Sequence, residues 1–255
     1  RNGEVTGKAV RIPMVPDKLS LTNTMAEDVS AFRNKGVIPV GMDFGSVELA
    51  CVNFNLAGSL ALLGDQESKD TFTANFIRTI AKTAIFHQIE AFVVDDKARK
   101  LRECMDYGFV RRYTADAAEG IAVVSDFCSG LRRRQDDDER DDFQLLVINS
   151  ADVFRRICAD KTDGKDLAAA IKNAAEAGVF ILITPVENAP VGFNASEVVK
   201  ALKEGRQGIL FAPLAENKFF DLSGRTKGET SFDQSMGYRF DGSTYSKIKI
   251  FDREV

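Results

Sequence analysis

The sequence lacks long hydrophobic runs, clustered cysteines, more than one histidine and any excess of positive charge. No stretch approaches the roughly 18 to 20 consecutive apolar residues of a membrane span, and the first residues are too polar for a signal peptide. Its 34 lysines and arginines stand against 38 aspartates and glutamates, which gives a formal net charge of −4. This balance speaks against tight, non-specific binding of nucleic acid. The composition also excludes a collagen, a coiled coil and a disulfide scaffold.

The cysteines and the histidine give no sign of a metal site. Cys51, Cys104, Cys128 and Cys158 form no CxxC pair, and each lies in or beside an apolar segment. They are predicted to be small buried side chains in a protein from a reducing compartment. His87 has no partner at ligand spacing, so we expect a surface or interface residue rather than a catalytic base or a metal ligand.

What is present is the composition of an ordinary globular protein. The 255 residues are 44% hydrophobic and 28% charged. A chain of this length can bury a core without disulfides or metal, and it suits one large domain or two small ones. It begins with Arg1 rather than methionine, so we expect a piece of a longer protein whose other parts carry any targeting segment.

Apolar runs and turn residues predict alternating strands and helices after an irregular start. Prolines interrupt the first 45 residues, which we interpret as an N-terminal linker or extension laid over a domain of residues 46–255. Strands are predicted at residues 47–54, 59–63, 91–94, 109–113, 145–148, 179–184 and 209–212, and helices at 71–84, 115–134, 166–177 and 195–204. Residues 237–240 and 248–251 are predicted to form a terminal hairpin that turns at Asp241 and Gly242. This alternation predicts an α/β domain with a mainly parallel sheet and helices on both faces.

A glycine-containing segment follows the predicted strand 59–63, where α/β proteins place a phosphate loop. In the Walker A motif G-x-x-x-x-G-K-[ST], the glycines let backbone N–H groups surround phosphates, the lysine contacts the β- and γ-phosphates, and the hydroxyl holds Mg²⁺. The segment here consists of Gly64, Asp65, Gln66, Glu67, Ser68, Lys69, Asp70 and Thr71. Only its first and last residues fit, because Lys69 replaces the second glycine and Asp70 replaces the lysine. A carboxylate that faces phosphate turns attraction into repulsion, so the motif is degenerate.

The strand predicted at residues 145–148 has the apolar part of a Walker B motif, which normally ends in an acid that orders Mg²⁺. Here the strand ends in Asn149 and Ser150. An amide cannot neutralise the cation, and a serine hydroxyl is no general base at neutral pH. Both nucleotide motifs therefore keep their apolar frame and lose their charged residues.

Asp95 and Asp96 leave a second interpretation open. They follow the predicted strand 91–94, and carboxylates in that position are either ordinary polar residues at a strand end or ligands of Mg²⁺. In the second case Lys69 would contact phosphate in an irregular loop. The chain would then be an active ATPase.

These motifs and several further segments resemble a known family. The segments are residues 11–16 (RIPMVP), 37–44 (VIPVGMDF), 199–208 (VKALKEGRQG), 237–240 (GYRF) and 247–250 (KIKI). In this order they are similar to the last ATPase domain of the EssC family, the membrane-bound FtsK/SpoIIIE-type ATPases of type VII secretion in Gram-positive bacteria. The resemblance covers nearly the whole chain and depends on the order of the segments.

The resemblance implies a RecA-like P-loop NTPase fold of three layers. It also implies that the domain lies at the cytoplasmic face of the cell membrane. The implied partners are other ATPase domains of the same chain, secreted WXG-type substrate proteins and further copies in a hexamer, with no nucleic acid. Residues 64–71 and Asn149 with Ser150 take the family's nucleotide-binding positions. Their departures imply weak binding of ATP at most, Mg²⁺ only together with ATP, and no catalytic residue or separate metal site.

Three functions are therefore compared below. The first is a degenerate ATPase domain that recognises substrate or regulates its neighbours, and the second is a weakly active ATPase. The third is DNA translocation, which the acidic balance disfavours. Phe219 and Phe220 are candidates either for cargo docking or for the core, and Arg206 either for a contact between subunits or for an ordinary surface residue.

Overall fold

Strands and helices alternate along the part of the chain that the structure, a computed structural model, describes: residues 14–27, 36–54, 56–83, 89–134, 142–222 and 232–253. His87 lies outside these residues. The strands are β1 (Val37–Asp43), β2 (Leu49–Asn53), β3 (Ser59–Gly64), β4 (Ile89–Val94), β5 (Val110–Thr114), β6 (Phe143–Ile148), β7 (Val179–Ile183), β8 (Gln207–Phe211), β9 (Met236–Asp241) and β10 (Thr244–Ile250). The helices are α1 (Leu21–Glu27), α2 (Gln66–Lys82), α3 (Ala117–Arg134), α4 (Ala151–Ala159), α5 (Lys161–Asn173) and α6 (Glu197–Gly205).

All ten described strands form one sheet in the order β2-β1-β10-β9-β8-β3-β7-β6-β4-β5. From β8 to β5 neighbouring strands are parallel, whereas β2, β1, β10, β9 and β8 pair antiparallel. The predicted terminal hairpin is confirmed as β9 and β10, with Gly242 at φ 63° in its turn. The mainly parallel sheet is confirmed as well.

The sheet separates two apolar cores, and β3 shows how. Leu60 and Leu62 join the core under α2, whereas Ala61 and Leu63 join the core under α3 to α6. This alternation follows from the period of two in a strand, and it requires both faces to be covered. The chain is thus a three-layer α/β protein. Among the described residues, none of the helices has the length and apolar character that crossing a membrane requires.

The irregular structure predicted for the first 45 residues is wrong for residues 37–43, which form β1 in the sheet. Pro39 is tolerated because the register between β1 and β2 shifts between Pro39 and Gly41, and proline is accepted at such a bulge. The predicted domain boundary at residue 46 falls in the turn between β1 and β2. The division of the chain at this point remains a prediction.

Residues 17–21, here called the strap, lie against the C-terminal end of the described chain. The backbone N–H of Leu19 donates to Asp252 Oδ2 at 2.7 Å, and the backbone N–H of Asp252 donates to the Leu19 carbonyl at 2.9 Å. Leu19, Leu21 and Phe251 form a small apolar cluster. The strap is therefore fixed by paired hydrogen bonds and by burial.

The cysteines are all free, as expected. Cys104 and Cys128 are buried, and Cys51 and Cys158 are half-buried. Burial raises the pKa of each thiol, to about 12 for Cys104 and Cys128 and to about 11 for Cys51.

Candidate functional site

Residues 64–71, which are predicted to take the Walker A position, form the end of a strand and the start of a capped helix. Strand β3 ends at Gly64, Asp65 is the N-cap, and α2 begins at Gln66, five residues earlier than predicted. Asp65 Oδ2 accepts hydrogen bonds from the backbone N–H of Ser68 at 2.8 Å and from its hydroxyl at 2.7 Å. The segment from Gln66 to Thr71 is thus already helical.

Gly64 has a structural explanation that involves no nucleotide. It adopts φ +91°, and a Cβ at this position would lie 2.3 Å from the carbonyl oxygen of Phe211 in β8. The same carbonyl accepts from the backbone N–H of Asp65 at 2.8 Å. Glycine is needed here because β3 and β8 approach closely.

The two charged residues that break the motif are both buried, Lys69 at 6% exposure and Asp70 at 7%. Asp70 accepts from Lys100 Nζ at 2.7 Å and from Gln66 Nε2 at 2.8 Å. The hydrogen bond to Asp70 and the negative charge of Asp70 raise the pKa of the Lys100 ammonium. Burial lowers the pKa of the Lys69 ammonium, against the opposing charges of Asp70 and Asp65. Asp70 is therefore neutralised within the fold by Lys100.

At the Walker B position, Asn149 joins the ends of three neighbouring strands. Its Nδ2 donates to Asp95 Oδ1, after β4, at 2.9 Å, and its Oδ1 accepts from the Thr184 hydroxyl, after β7, at 2.6 Å. Ser150 is the N-cap of α4, since its Oγ accepts from the backbone N–H of Val153 at 3.4 Å. Both predicted site residues therefore have partners within the fold.

Asp95 is 1% exposed and fully hydrogen-bonded. It accepts from the backbone N–H groups of Asp96 at 2.8 Å and Leu101 at 2.9 Å, from the Tyr113 hydroxyl at 2.8 Å, and from Asn149. Burial, and then the bond to Asp95, raise the pKa of the Tyr113 hydroxyl. A carboxylate offers about four lone-pair sites, so Mg²⁺ could bind Asp95 only by displacing one of these donors. Within the described ranges, no three acidic, histidine or cysteine side chains converge on a metal site.

Two cavities open beside this network, and sequence reasoning missed the second. A polar cleft of about 590 Å³ contains Gln66, Asp96, Lys97, Asn149 and Ser150 in its wall. An apolar cavity of about 290 Å³ lies between α4, α6 and the loop after β7, and Ala151, Arg155 and Pro185 belong to both. Its wall consists of Ala151, Phe154, Arg155, Cys158, Pro185, Val186, Glu187, Ala189, Pro190, Val191, Ala195, Val199 and Phe219. The signal that could have found it is the mostly apolar, proline-containing loop 185–195.

The sequence left the roles of Phe219, Phe220 and Arg206 open, and the structure shows where they lie. Phe219 and Phe220 are both buried, and Phe219 also contributes to the wall of the apolar cavity. Arg206 follows α6 as its C-cap in the left-handed region, at φ 51°. In contrast, Phe193 is 94% exposed in the loop that borders the cavity.

No family model and no curated protein matches the sequence, but solved structures match the fold. EssC (ATPases 2 and 3) from Geobacillus thermodenitrificans has a TM-score of 0.73 and 23% identity, over 95% of this chain and 46% of that chain. The cytoplasmic domain of EssC has a TM-score of 0.74 and 20% identity, over 95% and 49%. Thermomonospora curvata EccC (ATPases 2 and 3), in complex with a signal sequence peptide, has a TM-score of 0.74 and 18% identity, over 97% and 45%.

The fold is that of the type VII secretion ATPase domains. The predicted RecA-like P-loop architecture is thus confirmed. The chain spans just under half the length of each of these structures.

Proposed function

We propose that this chain is a degenerate ATPase domain of a type VII secretion motor of the EssC family, with little or no ATP hydrolysis, and that it recognises substrate or regulates neighbouring domains. The observation that carries the proposal is the capped start of α2. Asp65 accepts from the backbone N–H of Ser68 at the start of this helix, and Asp70 replaces the lysine of the motif. The order of sequence segments and the shared fold support the assignment to a secretion motor.

Binding of ATP would have to overcome two electrostatic costs. The phosphates would meet Asp65 and, with less repulsion because Lys100 pairs with it, Asp70; one unpaired repulsion at about 4 Å is on the order of 4 kcal/mol at an effective dielectric of about 20. The helix would also lose its cap, worth about 1 kcal/mol. At the Walker B position Asn149 adds no negative charge to hold Mg²⁺. ATP is therefore expected to bind weakly at most, and Mg²⁺ only with it.

Substrate recognition is assigned to the apolar cavity between α4 and α6. The cavity is concave, mostly apolar and bordered by the exposed Phe193, which is the character of a site for apolar side chains. Its proposed occupant is the export signal of a WXG-type substrate protein. The EccC structure of the same fold, solved with a signal sequence peptide, supports this choice.

The rest of the proposal concerns the parent protein. The chain would adjoin other ATPase domains of a longer polypeptide, at the cytoplasmic face of the membrane, and would assemble into a hexamer. Its length, just under half that of the EssC and EccC structures with two ATPases, supports neighbouring domains. No nucleic acid is expected as a partner, and salt-sensitive binding to duplex DNA would contradict this.

The nucleotide part of the proposal is tested by calorimetric titration with ATP and Mg²⁺ beside a turnover assay. We expect weak or no binding and no measurable turnover. The competing hypothesis, an active ATPase that uses Lys69 with Asp95 or Asp96, requires turnover that Lys69→Ala abolishes. Turnover of this kind, or turnover lost in Asp70→Ala or Asn149→Ala, would overturn the proposal.

The substrate part is tested by titration with peptides that cover the WXG-type proteins encoded with the same secretion system. Val199→Glu puts a carboxylate into the cavity wall and should weaken binding at least about tenfold, because an unpaired charge is costly in an apolar site. Leu56→Glu makes the same kind of change at a residue that is 79% exposed and outside the cavity, and should leave binding unchanged. Equal affinity in the two variants would refute the cavity as the docking site.

A further inference from the structure

The walls of the apolar cavity are continuations of two neighbouring strands of the sheet. After β6 the chain passes through Asn149 into α4, which contributes Ala151, Phe154 and Cys158 to the cavity. After β7 it passes through Thr184 into Pro185 and Val186, which form part of the facing wall. The separation of the walls is therefore set where these two strands end.

One side chain connects these strand ends. Asn149 Oδ1 accepts from the Thr184 hydroxyl at 2.6 Å, and the Thr184 backbone N–H donates to the Ile148 carbonyl at 3.0 Å. On its other side, Asn149 Nδ2 donates to Asp95 at 2.9 Å, and Asp95 is itself held by the Tyr113 hydroxyl. Asn149 and Thr184 are 4% and 1% exposed, so water does not replace these bonds.

We propose that Asn149 is a positioning residue that holds the two walls of the cavity at a fixed separation, so that the cavity exists before its ligand arrives. An amide suits this place. It donates to the carboxylate of Asp95 and at the same time accepts from Thr184, whereas an ionised aspartate of equal size has no donor and would repel Asp95. The departure from the Walker B acid thus gives the fold a preformed cavity, and preformed sites lose less entropy on binding. The identity of the ligand rests on the proposed function, but the bracing of the walls does not.

The bracing is tested without any ligand, through the thiol of Cys158 in the cavity wall. The rate at which N-ethylmaleimide alkylates Cys158 is followed by mass spectrometry of the folded protein. Asn149→Asp should raise this rate at least about fivefold, because loss of one partner of a buried hydrogen bond makes local opening more frequent. The half-buried Cys51 lies outside the cavity, and its rate should not change.

Asn75→Ala is the matched control. Asn75 is also an asparagine with 4% exposure, and it donates to the carbonyls of Phe251 and Asp252 from α2, on the other face of the sheet. Asn75→Ala should leave the alkylation rate of Cys158 as low as in the unmodified protein. If Asn149→Asp does not fold, Thr184→Val removes the hydrogen bond between Thr184 and Asn149 without changing the size of the side chain. This variant should raise the alkylation rate of Cys158 in the same way.

Two results separate this inference from the proposed function. A Cys158 rate that stays the same in folded Asn149→Asp and in Thr184→Val, or that rises equally in Asn75→Ala, overturns the positioning role. A raised rate in a protein that binds none of the peptides keeps the positioning role and rejects the proposed substrate. Where peptides do bind, Asn149→Asp should weaken them although Asn149 does not line the apolar cavity.

Discussion

At the scale of single residues, the positions of the nucleotide motifs perform structural tasks. Asp65 caps α2, Ser150 caps α4, and Asn149 connects β4, β6 and β7 through its amide. These residues therefore take part in the hydrogen bonds that hold the fold together.

Gly64 gives a direct test of this view. Gly64→Ala should lower the free energy of unfolding by more than about 1 kcal/mol, because the new Cβ would meet the Phe211 carbonyl at 2.3 Å in a left-handed conformation. Urea unfolding followed by circular dichroism measures the change. Gly130→Ala is the control: nothing lies within 4 Å of its Cβ position in α3, so it should stabilise by up to about 1 kcal/mol. If Gly64→Ala keeps full stability and changes only nucleotide binding, Gly64 belongs to a phosphate loop.

At the scale of elements, prediction from sequence succeeded where a segment is buried on both sides. The strands β3, β4, β6 and β7 are nearly continuous apolar runs, and their positions are confirmed. The predicted start of α2 at residue 71 is too late, because the first residues of the helix are polar, and Ser68, Lys69 and Asp70 are nevertheless buried. The short helix α4 was missed, since its buried side chains are only Val153, Phe154 and Ile157.

The candidate site could be predicted only in part, for a physical reason. The positions of the two predicted nucleotide motifs follow from local sequence. In contrast, the partners of Asn149 are 54 and 35 residues away along the chain, and only the order of strands in the sheet brings them together. The apolar cavity depends in the same way on the approach of α4, α6 and the loop after β7.

The junction between α4 and α5 allows a prediction about pH. Asp160 is the N-cap of α5, and hydrogen bonds from the backbone N–H groups of Asp163 and Thr162 lower the pKa of its carboxyl, with a smaller opposing effect of burial. Because the pKa is lower in the folded state, the carboxylate adds stability above its ordinary pKa of about 3.9, and this is lost as the pH falls through the folded value. The melting temperature of the unmodified protein should thus exceed that of Asp160→Asn at neutral pH, and the difference should shrink towards zero in acid.

Asp160→Ala provides the comparison for this measurement. It removes the hydrogen-bond acceptor altogether, so it should melt below Asp160→Asn at every pH. Thermal unfolding between about pH 2.5 and 7 compares the three proteins. A difference in melting temperature between the unmodified protein and Asp160→Asn that does not vary with pH would show that the charge of Asp160 contributes nothing to stability.

At the scale of the whole molecule, one sheet joins both cores and both ends of the described chain. The strap lies against Asp252 and Phe251, directly after β10, and β10 lies between β1 and β9. Asn75 of α2 donates to the carbonyls of the same C-terminal residues. The N-terminal segment, α2 and the sheet should therefore unfold together.

Leu21→Ala tests whether the strap and α1 belong to the same cooperative unit as the sheet. Leu21 is fully buried at the start of α1, so the substitution should cost about 2 to 5 kcal/mol in the free energy of unfolding. The loss of stability should appear in one urea transition. Hydrogen exchange should accelerate in the strands as well as in residues 14–27, because the strap is hydrogen-bonded to Asp252 directly after β10. Leu56→Ala, at a residue that is 79% exposed, should change stability by less than about 0.5 kcal/mol. If Leu21→Ala speeds exchange only in residues 14–27 and leaves the main transition in place, the segment before β1 is a separate extension and not part of the cooperative unit of the sheet.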